Sequence, residues 1–233
     1  MNDKPLINDK IFYNPVNIIY EFKKLEYSGV INPRIKAYKK LQEAYISAIS
    51  LVGLAEALGI DFWLQIVDDK EGSPDIKTIH RAPKTENNEF NIEDVEIVIF
   101  EKHSTKDIVE FLLSTKLSAK KGYDDLTSIL CFVDKIAYLP STIELHKALV
   151  DKRLNKKSPV MLLGKIYQNQ EKYRLVNIYP DLSFDITFDL EEGCKKITYA
   201  GALKLGKRGK KEDKGKVVYD GTAITPFEKF GIK

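Results

Sequence analysis

The chain has 233 residues, of which 43% are hydrophobic and 30% are charged. This composition supports a packed core and excludes a disordered or fibrous chain. Its apolar runs are only a few residues long, whereas a membrane-spanning helix needs ~20, so we expect no membrane association. The two cysteines are too few for a disulfide framework or an all-thiolate zinc site. Residues 1–10 also lack the apolar core of a secretion signal. We therefore expect a cytoplasmic protein.

The net charge of +3 is unevenly distributed along the chain. Residues 204–216 contain seven basic and two acidic side chains, a local charge of +5, so the other residues sum to −2. The basic residues are Lys204, Lys207, Arg208, Lys210, Lys211, Lys214 and Lys216. A basic segment on a mildly acidic body is compatible with binding to the phosphate backbone of DNA. A solvated, lysine-rich loop is the alternative.

The first clear secondary-structure signal is a long amphipathic helix. Apolar residues recur at spacings of three and four from Ile35 to Ala55, as one face of a helix requires. Asn32 and Pro33 supply a capping residue and a favourable first-turn residue, and Gly59 supplies the stop. The periodicity thus predicts one helix that ends at Gly59.

Strands and helices alternate after this helix. Short apolar or alternating segments predict strands over residues 62–67, 75–80, 95–100 and 128–133. Helices are predicted over residues 104–115 and 141–154, and the second of them begins with a capping box. The order αβββαβ predicts a meander followed by a crossover that makes a parallel strand pair. We therefore predict an α/β fold with a mixed sheet flanked by helices in residues 1–157. Residues 158–233 are predicted to form a β-rich C-terminal extension packed on this core.

Two acidic residues lie on neighbouring strands of the predicted meander, where they can form a site. Pro74 and Asp75 open the second strand, and Glu96 lies inside the third. Together with the αβββαβ order, this pattern resembles the PD-(D/E)xK nuclease superfamily, which includes many restriction endonucleases, over about the first 135 residues. The resemblance implies a DNA endonuclease of restriction or phage defence, in which Asp75 and Glu96 bind Mg²⁺ or, in its place, Mn²⁺. It also implies a lysine two residues after the glutamate that positions or activates the attacking water.

Val98 occupies the position where the motif lysine is expected. Lys116 is the proposed replacement, because the helix after the third strand must run back over the sheet. Strand rise carries the chain about 20 Å past Glu96, and the helix returns it about 16 Å. Lys116 also continues the apolar stripe of Ile108 and Leu112 at spacings of four. Lysines displaced onto this helix occur in the superfamily, so the resemblance permits the change.

Two further residues are candidates for the site. Lys77 lies two residues after Asp75 and therefore shares its sheet face, which makes Lys77 the competing candidate for the catalytic lysine. Several members of the superfamily place a metal-assisting glutamate on the first helix, and Glu56 matches that role by position. Glu43 points to the opposite side of the helix and is expected at the surface.

Each assignment has a plainer structural alternative. Asp75 can simply begin a strand after proline, and Glu96 can be an exposed strand residue. Lys116 can extend to solvent at a helix end, where a cation favours the helix dipole. Glu56 can be a solvated helix residue.

Two other functions remain open from the sequence. Val98 is compatible with a catalytically decayed protein on the same fold that binds nucleic acid or serves as a non-catalytic subunit of a larger complex. An α+β interaction protein in which Asp75 and Glu96 are incidental is the third hypothesis. Double-strand cleavage would additionally require a homodimer or a partner protein. The sequence contains no phosphate-binding glycine loop and no histidine pair at zinc-binding spacing.

Overall fold

The computed structural model describes residues 11–34, 37–67, 74–81, 90–101, 107–117, 126–133, 141–152, 157–167, 170–199, 202–205, 217–219 and 227. Ten strands in these ranges form one sheet, and five helices pack with it in a mixed α/β fold. The strands are β1 (Ile11–Tyr13), β2 (Phe62–Ile66), β3 (Ile76–Arg81), β4 (Phe90–Phe100), β5 (Ser128–Val133), β6 (Val160–Lys165), β7 (Lys172–Tyr179), β8 (Asp185–Asp189), β9 (Ala202–Leu205) and β10 (Val217–Tyr219). The helices are α1 (Pro15–Tyr27), α2 (Tyr38–Leu58), α3 (Ile108–Thr115), α4 (Thr142–Asp151) and α5 (Leu190–Lys196).

The sheet has the strand order β10-β9-β1-β2-β3-β4-β5-β6-β7-β8. Strands β2, β3 and β4 form an antiparallel meander, and α3 then crosses over to β5, which pairs in parallel with β4. Strand β6 pairs in parallel with β5, and β9 pairs with β1 at the other side of the sheet. The described parts of residues 158–233 therefore extend the same sheet at both ends.

Local signals explain where several helices begin and end. Gly59 ends α2 in the left-handed conformation with a φ of 64°, which costs glycine little because it has no Cβ. Ser141 and Glu144 form the predicted reciprocal capping box at the start of α4. Asp107 caps α3 through a hydrogen bond from the Glu110 N–H, so this helix begins later than predicted. Helix α1 was not predicted, although Asn14 accepts from the Val16 N–H and Pro15 begins the helix.

The two faces of the sheet bury different clusters. Val95 and Ile97 of β4 pack with residues of α1 and α2, whereas Val98 packs with Ile108 and Leu112 of α3. Because strand side chains alternate between faces, Glu96 projects to the same side as Val98. The predicted placement of the apolar residues of β4 opposite Glu96 is confirmed.

Helix α2 is apolar and long enough to cross a membrane by length and composition alone. However, 61% of its apolar window is buried inside the protein. It packs between α1 and the sheet and also contacts α5. Packing in the protein core therefore accounts for its apolar character.

We predict that Gly53→Ala destabilises the protein, although alanine is the better helix former. A Cβ at Gly53 would lie 2.5 Å from Cε1 of the buried Phe188 ring. We expect overpacking of about 1–3 kcal/mol to exceed the ~1 kcal/mol gained in helix propensity. Urea unfolding of the wild type and the variant measures the difference.

Phe188→Leu provides the matched background, because it removes the ring atoms that the new methyl group would meet. In that background Gly53→Ala should become neutral or stabilising. The same loss of stability in both backgrounds would contradict the packing argument.

Candidate functional site

Asp75 and Glu96 are brought together by the register of β3 and β4. The register partners at this end are Ile76 and Val95, so Asp75 and Glu96 lie one step beyond them. The Ile97 N–H donates to Asp75 Oδ2 at 3.0 Å. The Asp75 side chain thus provides the acceptor for a main-chain donor of β4, which fixes its carboxylate beside the glutamate.

Lys116 links the two carboxylates. Its ammonium donates to Glu96 Oε2, and it lies 3.7 Å from Asp75 Oδ2. The residue follows the last turn of α3, where its N–H donates to the Leu112 carbonyl at 3.0 Å. The predicted return of Lys116 to the level of Glu96 is confirmed as a placement. Since Glu96 is only 2% exposed, the lysine supplies the opposite charge that a buried carboxylate requires.

Val98 and Lys116 differ in their surroundings. Val98 is buried in the apolar cluster that includes Ile108 and Leu112. A lysine at this position would place its stem beneath the helix among apolar side chains. Lys116 instead reaches the carboxylates from the helix end, with 16% of its side chain exposed.

Lys40 and Glu43 join the site from the N-terminal part of α2, and neither was predicted there. The Lys40 ammonium donates to Asp75 Oδ1 at 3.0 Å and lies 3.3 Å from Glu43 Oε2. Lys40 is 7% exposed and Glu43 is 2% exposed. The expectation that Glu43 lies at the surface was therefore wrong. The available signal was a polar stripe at helical spacing, in which Ser47 and Ser50 continue the line begun by Lys40 and Glu43.

The two acids of this cluster have opposite pKa shifts. Burial raises the pKa of Asp75, but the hydrogen bonds from the Ile97 N–H and Lys40, with the charges of Lys40 and Lys116, outweigh it. The net pKa of Asp75 lies below its ordinary value. Burial and the nearby charge of Asp75 raise the pKa of Glu43 despite its neighbouring lysines. The site therefore holds Asp75 firmly ionised while making the charge on Glu43 costly.

Lys77 and Glu56 are not brought to the carboxylates. Lys77 forms an ion pair of 3.2 Å with its cross-strand partner Asp94, one step away along the same face. Glu56 pairs with Lys196 of α5. It lies 16 residues beyond Lys40 on α2, a separation of about 24 Å along the helix axis. The expectation that Glu56 leans towards the site was therefore wrong, because the N-terminal end of α2 faces Asp75.

Most of the predicted DNA-binding residues cannot be placed. Lys207, Arg208, Lys210, Lys211, Lys214 and Lys216 lie outside the described residues. The backbone of Lys204 lies in β9 opposite Ile11 and Val218, but its side chain is outside the described part.

The donor set of the site fits a hard divalent cation. Asp75 and Glu96 both have a carboxylate oxygen within 4 Å of the Lys116 ammonium, so they already converge on one positive charge. Mg²⁺ is usually held by one or two carboxylates, with water and substrate phosphate completing its coordination. The described residues contain no group of three or more potential ligands. Within the described residues, the site would therefore offer a cation the carboxylates of Asp75 and Glu96.

No family model, curated protein or solved structure matches this chain.

We predict that Asp75→Asn removes part of the acid sensitivity of folding. Because the folded-state pKa of Asp75 is depressed, its stabilising contribution is fully present above the unfolded-state pKa of about 3.9. That contribution is lost as the pH falls through the lower folded-state value. Urea unfolding at a series of pH values should therefore show a flatter acid limb for the variant.

Glu43→Gln is the matched control and carries the opposite sign. The raised pKa of Glu43 means that its ionisation destabilises the fold above the folded-state pKa, and that this penalty disappears as the pH falls towards about 4.3. The wild type should therefore gain stability relative to this variant on acidification. Identical acid limbs for the wild type and Asp75→Asn would contradict the assignment.

Proposed function

We propose that this protein is a metal-dependent DNA endonuclease of the PD-(D/E)xK, restriction-endonuclease-like kind. The observation that carries the proposal is the convergence of Lys116 on both Asp75 and Glu96. The run of α2, β2, β3, β4, α3 and β5, with its parallel β4–β5 pair, supports the same class. A cytoplasmic role in restriction or phage defence belongs to this proposal.

Asp75 and Glu96 would hold Mg²⁺ or Mn²⁺. When bound, such an ion lowers the pKa of a coordinated water and stabilises charge on the scissile phosphate. The Ile97 N–H would keep the Asp75 carboxylate oriented. Lys116 would orient the attacking water or offset the negative charge that develops on the phosphate, since its ammonium lies between the two carboxylates.

The basic residues of 204–216 would contact the phosphates of DNA and provide affinity without reading its sequence. Hydrolysis of both strands would require two active sites, from a homodimer or a partner protein. Single-strand nicking requires only one copy of the site.

A second candidate is a nucleic-acid-binding protein or non-catalytic subunit whose site no longer cleaves. Both Asp75 oxygens are engaged within the protein, Oδ1 by Lys40 and Oδ2 by the Ile97 N–H. Val98 also stands in the motif lysine position. An ion-pair network of this kind can serve a purely structural purpose.

Plasmid cleavage in Mg²⁺ or Mn²⁺ tests the proposal. We expect metal-dependent nicking that Glu96→Gln abolishes, because the substitution removes a charged metal ligand. Lys116→Ala should lower the rate by about 10²-fold, the typical loss on removal of one transition-state donor. Lys77→Ala should cleave close to the wild-type rate, because Lys77 is paired with Asp94.

Glu93→Gln is the matched control for Glu96→Gln, since Glu93 is an exposed residue of the same strand. It should retain full activity. DNA binding without cleavage in either metal would favour the second candidate. Equal cleavage by the wild type and Glu96→Gln would overturn the proposed site.

A further inference from the structure

Lys40 lies between two carboxylates, and its contacts with them differ in geometry. It donates to Asp75 Oδ1 at 3.0 Å. It also lies 3.3 Å from Glu43 Oε2, yet that oxygen is buried and has no hydrogen bond among the described residues. The other oxygen, Glu43 Oε1, lies 3.4 Å from Lys39. Glu43 Oε2 is therefore a buried acceptor that forms an ion pair with the Lys40 ammonium but, within the described part of the chain, receives no well-aligned hydrogen bond.

A buried acceptor without a hydrogen bond is costly and uncommon in proteins. Here the cost can be relieved by a small reorientation of Lys40, because the ammonium is already at ion-pair distance. The same ammonium cannot escape into solvent easily, since Lys40 is 7% exposed. When Asp75 acquires another cationic partner, Glu43 is placed to accept the hydrogen bond that Lys40 withdraws from Asp75.

We propose that Lys40 is a positioning residue that transfers its hydrogen bond from Asp75 to Glu43 when a divalent cation binds Asp75 and Glu96. This inference rests on the proposed function, because it requires the cation. A cation at Asp75 competes with the ammonium for Oδ1 and repels it. Glu43 Oε2, already at ion-pair distance, accepts the displaced donor, so the buried ammonium keeps a carboxylate beside it.

The exchange has a thermodynamic signature. Lys40 opposes cation binding by occupying Asp75, and Glu43 favours it by accepting Lys40. Because Glu43 acts through Lys40, its influence on the affinity for the cation must depend on the presence of Lys40. A carboxylate that acts only through its charge would influence the affinity whether or not Lys40 is present.

A double-mutant cycle on Mn²⁺ binding tests the exchange without nucleic acid or catalysis. Binding of Mn²⁺ to the full chain is measured by electron paramagnetic resonance or calorimetry for the wild type, Lys40→Met, Glu43→Gln and the double variant. We expect Glu43→Gln to weaken binding by about tenfold, as for other residues that orient metal ligands. In the Lys40→Met background the same substitution should change the affinity by less than about twofold, the limit for independent effects.

Lys24→Met is the matched charge control, because Lys24 is a 73% exposed lysine of α1 whose ion-pair partner is Glu21 and not a residue of the site. It should leave the Mn²⁺ affinity within about twofold of the wild type, the range expected for uncoupled sites. Thermal unfolding confirms that each variant is folded. Lys40→Gln, which keeps a polar end without the charge, replaces Lys40→Met if the latter does not fold.

Three outcomes separate the exchange from the proposed function. The expected pattern of coupled effects supports the exchange. Equal effects of Glu43→Gln in both backgrounds overturn it and leave the metal site intact. Failure of the wild type to bind Mn²⁺ overturns the exchange together with the metal-dependent function.

Discussion

The site depends on the burial of one carboxylate within the sheet. Glu96 lies in the middle of a strand whose neighbouring residues are apolar, and such a charge is tolerated only with an opposite charge at hand. This requirement explains why a lysine, Lys116, follows the apolar residues Ile108 and Leu112 on the face of α3 that packs against the sheet. The same lysine also lies near a second acid, Asp75, which directly precedes β3. The meander and the crossover are thus joined at one ion-pair cluster.

The cluster is poorly explained as a device for stability alone. Two lysines and three carboxylates meet at the junction of α2, α3 and the sheet, and one oxygen of Glu43 lacks a hydrogen bond within the described part of the chain. Buried ion pairs are often replaceable by apolar residues without loss of stability. A buried group of charges that perturbs the pKa values of its members is typical of functional sites. The proposed cation binding would give the cluster a role that core packing does not.

The positions that follow from regular strand and helix geometry could be predicted from the sequence, whereas those that depend on how the helices pack could not. Strand and helix rise are constant, so the return of Lys116 to Glu96 followed from counting residues. The direction of Glu43 did not, because α2 is packed on several sides and its apolar residues define no single face. The prediction for Glu56 was wrong for a related reason, because the sequence does not show which end of α2 packs against Asp75. The pairing of β1 with β9 joins residues about 190 positions apart, and a strand of four residues carries no local sign of so distant a partner.

The position of Lys116 on a helix would also affect how the proposed site responds to a cation. A lysine two residues after Glu96 would share the rigid backbone of β4, which is paired on both sides. Lys116 instead extends from the end of a short helix, and Lys40 extends from a different helix. Each ammonium can therefore withdraw without moving the strand that carries the carboxylate. In the proposed enzyme, this separation lets two lysines neutralise the acids before the cation binds and then yield to it while the ligands stay fixed.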